Sequence, residues 1–236
     1  NNSEQAHSNF STSLSIDPSL AEGWYSWGSY CEVVYEAHGN ITYLEYAASC
    51  YLQAIKIDTK LAKKLMSKFL LWLSFDNTSG GDVVGRVFDK YGEGIPSSVW
   101  LPYVSQLICS LQRPEAGRAK ALLFQLVQSF PQSVYYSLRT FLLDRREGSP
   151  LSKNQQYSAR SPQASQGENG QKQKQRPAAH DWGFGHIPTV AEAFAAGKQV
   201  MEVLRSEWAL MIHELETFIH EIGTKFVPTP EERLLA

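Results

Sequence analysis

Residues 97–143 read SSVWLPYVSQLICSLQRPEAGRAKALLFQLVQSFPQSVYYSLRTFLL, and this stretch decides the fold. Trp100, Tyr103, Val104, Leu107, Ile108 and Leu111 recur at steps of three and four, the spacing of one apolar helix face. Pro102 falls in the first turn of that helix if Ser97 or Ser98 is the cap. A missing N–H is harmless there, because first-turn N–H groups have no intrahelical partner. Pro114 opens a second helix and Pro131 closes it, with Ala116, Ala119, Leu123, Leu126 and Phe130 between them. A third helix carries Val134, Tyr135, Leu138, Phe141 and Leu142. Links this short make successive helices pack as antiparallel or sharply angled pairs. The expectation is a slice of an all-α stack.

The same residues carry a family resemblance. Trp100, the run PYVSQLICSLQRPEA (102–116) and the run SFPQSVYYSLRTFLL (129–143) closely resemble the FAT region of the TRRAP family. Those proteins are the kinase-dead members of the phosphatidylinositol-3-kinase-related group. Cys50-Tyr-Leu-Gln-Ala-Ile55 followed by Leu71-Trp-Leu-Ser-Phe-Asp76 resembles the same family in the same order, and the likeness covers roughly residues 10–145. It implies a tetratricopeptide/HEAT-like helical repeat solenoid. It also implies a nuclear, non-catalytic subunit of histone acetyltransferase assemblies of the SAGA kind, receiving transcription activators and positioning them relative to the acetyltransferase module. In that family the FAT helices also wrap a downstream kinase-like domain. These are packing residues, so by themselves they identify a relative and no activity.

Composition bounds the alternatives. A chain of 236 residues is long enough for one large domain or a run of repeats with a sizeable core. Net charge is −2, so no global basic field argues for nucleic acid or anionic membrane. The densest apolar run, Phe69–Phe75, is far too short to span a bilayer, and no basic-then-apolar segment opens the chain. Cys31, Cys50 and Cys109 lie within apolar helical patterns; their odd number and wide spacing argue for buried reduced thiols, as in a nuclear or cytosolic protein. Asn-x-Ser/Thr triplets at Asn1, Asn9, Asn40 and Asn77 are read as chance. The chain begins at Asn1, and Thr229-Pro230-Glu231-Glu232 announces a helix a few residues before Ala236, so a piece of a longer protein is expected.

Taken in order, three segments are expected: helical repeats over 1–147, a Gln/Ser/Lys-rich disordered insert over 148–180, and continuing helices over 181–236. Residues 1–9 are polar and read as frayed. A degenerate tetratricopeptide register follows. Phe10, Ser13 and Pro18 mark the second helix of one unit, and Trp24, Trp27 and Gly28 the first helix of the next. Ala47, Tyr51 and Ala54 mark its second helix. The link around His38–Thr42 reads as longer than the consensus, and Thr59 stands where proline is expected. Lys60 to Phe75 is a helix with an apolar stripe of Leu61, Leu65, Phe69 and Trp72. A second stripe, Lys60, Lys64 and Lys68, reads as a solvated face rather than a phosphate or acidic-partner site. Asn77–Gly81 is a loop, and Val83–Tyr91 a short helix before Gly92-Glu-Gly-Ile-Pro96. Gly148–Arg176 has almost no large apolar side chains to offset its ordering entropy. Lys172, Lys174 and Arg176 within it read as a solubilising linker more than an import or docking signal. Order resumes near Trp182; Thr189 and Glu192 form a capping box before one long helix to about Ile222, stopped by Gly223. Its seam is Phe194, Gly197, Met201, Leu204, Trp208, Met211, Leu215, Phe218 and Ile222, widened by Val203, Ile212 and Ile219.

Chemistry is sparse. His213, Glu216 and His220 share a helix face, yet their spacing is not that of a His-Glu-x-x-His zinc helix, and the histidines lie opposite the seam. A solvated face is the better reading. There is no Walker loop, nucleophile elbow, dinucleotide fingerprint or kinase catalytic loop; Gly92-Glu-Gly94 and Gly183-Phe-Gly185 lack a third glycine. No catalytic, cofactor-binding or metal residue is assigned, and no cofactor, small-molecule substrate, membrane or direct nucleic-acid partner is expected. The expected partners are protein: acetyltransferase-complex subunits and activators. Two rivals remain, the regulatory FAT collar of an active kinase of the wider group and an independent peptide-binding tetratricopeptide domain.

Overall fold

A computed structural model describes residues 2–79, 81–146 and 187–225. Among them are ten α-helices, two 3-10 segments and no strand. The helices are α1 (Asn2–Ile16), α2 (Ala21–His38), α3 (Ile41–Ile57), α4 (Ala62–Ser79), α5 (Val83–Tyr91), α6 (Val104–Ser110), α7 (Ala116–Ser129), α8 (Pro131–Arg146), α9 (Val190–Glu207) and α10 (Ala209–Lys225). Thr59–Leu61 and Ser97–Tyr103 are the 3-10 segments. Each helix packs on near neighbours: α2 on α3, α3 on α5, and α6 on α7 and α8. After residue 187 the chain returns to lay α9 across α7 and α8. One continuous core runs from Leu44 to Ile212, so the molecule is an all-α array of stacked helices with the character of a repeat solenoid.

The register is set where α2 meets α3. A Cβ on Gly28 would stand 2.7 Å from the Tyr51 ring, so glycine permits this close crossing, as its place in the repeat predicts. Ala47, Tyr51 and Ala54 are buried beneath it. The α2–α3 link is only Gly39 and Asn40, which corrects the long link expected from the register; the extra residues lengthen the helices instead. Gly39 ends α2 at φ +67°, and the Asn40 side chain accepts from the Thr42 N–H at 3.1 Å to start α3.

A polar node lies beside that crossing. The Tyr51 hydroxyl donates to Glu32 at 2.5 Å, and Lys68 of α4 pairs with the same carboxylate at 2.6 Å. Trp72 stacks on Tyr51 with centroids 5.7 Å apart. Lys64 donates to the Tyr25 hydroxyl and lies 4.2 Å from that ring's centroid. Two of the three stripe lysines therefore clasp α2, correcting the solvated-face reading; only Lys60 is left exposed without such a clasp. A buried carboxylate needs such partners, and the matching acid was invisible because it lies on another helix.

Other expectations are adjusted by tertiary contacts. Residues 2–9 belong to α1, where the His7 ring lies 4.9 Å from Trp27 and 4.8 Å from Tyr46, and this packing orders a segment read as frayed. α4 continues through 77–79, which were read as loop. Its Asp76 accepts from the N–H groups of Val83 and Gly85, both at 2.9 Å, and so ties its last turn to the start of α5. Around Pro102 the chain is 3-10 and becomes α-helical only at Val104, because proline disfavours the α conformation in the residue before it. No serine side chain caps that segment. Cys31 and Cys50 are buried, but Cys109 is exposed, since α6 turns Leu107, Ile108 and Leu111 inward. The capping box of Thr189 and Glu192 is formed. The single long helix is broken at Trp208 (φ −123°, ψ 39°), and α10 runs through Gly223 to Lys225. A glycine inside a helix costs only about 1 kcal/mol and need not end it. The Gly148–Arg176 insert, Trp182, Gly183-Phe-Gly185 and the helix start at Thr229 lie outside the described residues.

Two outcomes test this packing. Trp100 is 1% exposed, in edge-to-face contact with Phe88 at 5.8 Å. Trp100→Ala is expected to lower stability by about 3–5 kcal/mol in a urea melt, and a loss below about 1 kcal/mol would mean the ring is not core. Burial pushes the Cys31 thiol up from 9.0 to about 11 and raises Cys50 and Tyr51 as well. Groups raised in the fold hold their protons more tightly there than in the unfolded chain, so their stabilisation is full below pH 9 and is lost on rising through about 11. The thermal midpoint is expected to fall across that window, with a shallower fall in Cys31→Ala; an equal slope in that variant would contradict the assignment.

Candidate docking surface

A cleft lies where α8, α9 and α10 meet. In α8, Val134, Tyr135 and Leu138 face the core, which leaves Arg139, Leu142 and Leu143 along its flank. In α9, Phe194, Lys198, Met201, Glu202 and Arg205 share one face by three- and four-residue steps. These residues and Glu216 of α10 line a cleft of about 540 Å³. Leu142, Leu143, Phe194 and Met201 give it apolar lining, and Arg139, Lys198, Glu202, Arg205 and Glu216 give it charged lining.

The break at Trp208 builds the third wall. By folding α10 back it places Ile212 in the core and lets Arg205 donate to Glu216 at 3.0 Å. Lys198 lies over the Phe194 ring, 4.6 Å from its centroid. The Tyr135 hydroxyl of α8 is wholly buried, within reach of Arg139. Burial raises that phenol and Glu216 pushes it the same way, while Arg139 and Arg205 pull it back. On its other flank α10 leaves Leu210 74%, Phe218 58% and Ile222 50% exposed, so its apolar stripe is only partly covered.

The residues weighed from sequence do not converge. His213 and His220 are exposed, and Glu216 is committed to Arg205, so the three do not form a metal site. Among the described residues no group of three or more His, Cys, Asp or Glu side chains could hold a metal, and no helix is long and apolar enough to cross a membrane. Gly92-Glu-Gly94 is a bend between α5 and the second 3-10 segment, with Gly94 at φ +85°. Trp24 and Trp27 stack on each other at 5.9 Å, and Trp24 donates to the Pro18 carbonyl at 2.8 Å, so both rings are used in packing. Lys172, Lys174 and Arg176 lie outside the described residues. The cleft itself was missed. Its signal is the Phe194, Lys198, Met201, Glu202, Arg205 spacing, of which the packing seam takes in only Phe194 and Met201.

No family model matches the chain. Curated relatives do. Transcription-associated protein 1 of Drosophila melanogaster is 36% identical over 143 residues, 60% of this chain and 4% of that protein. The SAGA complex/NuA4 acetyltransferase complex subunit TRA1 of Saccharomyces cerevisiae is 33% identical over 140 residues, 58% of this chain and 4% of that protein. The transformation/transcription domain-associated protein of Homo sapiens is 31% identical over 144 residues, 61% of this chain and 4% of that protein. The matched part of this chain thus corresponds to about 4% of the length of these relatives.

The Arg205–Glu216 pair that closes the cleft has both side chains about half exposed, at 59% and 46%. A double-mutant cycle of Arg205→Ala and Glu216→Ala is expected to give a coupling of about 0.2–1 kcal/mol. A coupling above about 2 kcal/mol would show that the pair, rather than Ile212, holds α10 in place.

Proposed function

We propose that this chain, a relative of the TRRAP family by sequence, is a non-catalytic scaffold segment of a transcription co-activator subunit in nuclear histone acetyltransferase complexes. The observation that carries the reading is the 31–36% identity to the three transcription-associated relatives over about 60% of the chain. Helices stacked on near neighbours suit the role, because such an array supplies extended surface without requiring one enclosed site. The reading divides the chain into FAT-type helical repeats over 1–147, a linker over 148–180 and further FAT helices over 181–236. Its partners are other complex subunits and activators, and neither cofactor nor substrate is part of it. Disordered activators bind such surfaces weakly at each point and gain strength from several contacts at once.

The test is to tag the endogenous protein, capture it from nuclear extract, and assay both its partners and its phosphoryl transfer. Acetyltransferase subunits co-purifying without peptide phosphorylation are the expected result. Robust phosphorylation, abolished by a mutation in the protein's own nucleotide site, would overturn the reading in favour of the regulatory collar of an active kinase.

A further inference from the structure

We infer that the surface where α1, α2 and α3 meet docks a basic, arginine-bearing peptide segment. Each of the three helices contributes two aromatic rings about one turn apart: His7 and Phe10, Trp27 and Tyr30, Tyr43 and Tyr46. Phe10 lies 6.5 Å from Trp27 and 6.0 Å from Tyr30, centroid to centroid. His7 lies 4.9 Å from Trp27 and 4.8 Å from Tyr46, and Tyr46 lies 6.3 Å from Tyr43. Desolvation raises the Tyr30 phenol and Tyr43 pushes it the same way, so the chain of rings closes on itself. Yet none of the six is buried, and Tyr46 is 39% exposed. Aromatic surface left in contact with water in this way is what protein interfaces use. The Trp27 N–H already donates to His7 Nδ1 at 3.3 Å, so what that ring offers a partner is its face.

Charge complementarity names the occupant. No Lys or Arg precedes Lys56, whereas Asp17, Glu22, Glu36 and Glu45 are exposed on or beside these helices. Glu45 adjoins Tyr46; it also feels Lys90 of α5, which is itself held 4.8 Å from the Tyr91 ring centroid. The lysines that reach α2, Lys64 and Lys68, do so at Tyr25 and Glu32, on the side of the helix opposite Trp27 and Tyr30. The surface is therefore aromatic and acidic on a chain whose net charge is only −2. A guanidinium suits both properties, since it stacks flat on ring faces, is weakly hydrated and pairs with carboxylates. Acidic segments and nucleic acid are repelled by the same field.

The inference does not rest on the co-activator reading. The whole 236-residue chain is titrated into a fluorescein-labelled synthetic peptide alternating Arg and Gly, read by anisotropy. Tyr46→Ala is expected to weaken binding roughly two- to fivefold, the size of one exposed cation–π contact, while Tyr46→Phe keeps the ring and binds like the parent. Glu45→Lys is expected to weaken binding roughly tenfold. Glu221→Lys makes the same change of charge on exposed α10, where Glu221 pairs with Lys225, and is expected to leave the affinity nearly unchanged. Circular dichroism melts check that each variant folds. Unchanged affinity in folded Tyr46→Ala would overturn the inference, as would equal weakening by Glu45→Lys and Glu221→Lys. So would equal binding of the same peptide with neutral citrulline in place of arginine, or of a peptide alternating Glu and Gly. Where Tyr46→Ala does not fold, the Glu45→Lys and citrulline comparisons decide the matter by themselves.

Discussion

The crossing of α2 and α3 at Gly28 and Tyr51 is the constraint on which the rest of the stack depends. No side chain larger than hydrogen fits between the helices there, so the approach is fixed by exclusion before any attraction is considered. The Tyr51 ring then does two things. It carries its hydroxyl to Glu32, which also takes Lys68 from α4, and it offers a face to Trp72. Three helices share one carboxylate. Glu32 is 8% exposed, so losing one of these hydrogen bonds leaves a desolvation penalty of about 1–3 kcal/mol, more than an exposed ion pair supplies. With α2, α3 and α4 in register, α5 follows from the Asp76 cap, and Arg118 of α7 grips Asp82 at 2.7 Å and Asp89 at 2.7–2.8 Å.

Much of the fold was legible because helix periodicity is local. Trp100, Leu107, Leu111, Leu123, Leu126, Val134 and Leu138 are all buried, as three- and four-residue spacing requires. Gly28 was legible too, because its place in the repeat has a steric reason. What escaped the sequence depended on partners far along the chain. Lys68 reads as a solvated lysine until Glu32 is seen beside it, 36 residues away. Trp208 reads as one more seam residue, since a helix break without proline or glycine leaves no composition mark. The cleft follows from that break, so it could not be read before it. The exposed thiol of Cys109 is a different case: one position on α6 falls just outside the buried arc that Leu107, Ile108 and Leu111 define.

The return of the chain to its own stack has an evolutionary consequence. α8 ends at Arg146, and α9 begins at Val190 on the same two helices that precede it. Leu138 of α8 and Val200 of α9 are both fully buried in the shared core on which these helices meet. Shaving one methyl from such a buried aliphatic side chain costs about 0.5–1.5 kcal/mol. A few conservative changes there would consume a large share of a marginal stability. Selection on this region should therefore fall first on the buried faces of α8 and α9.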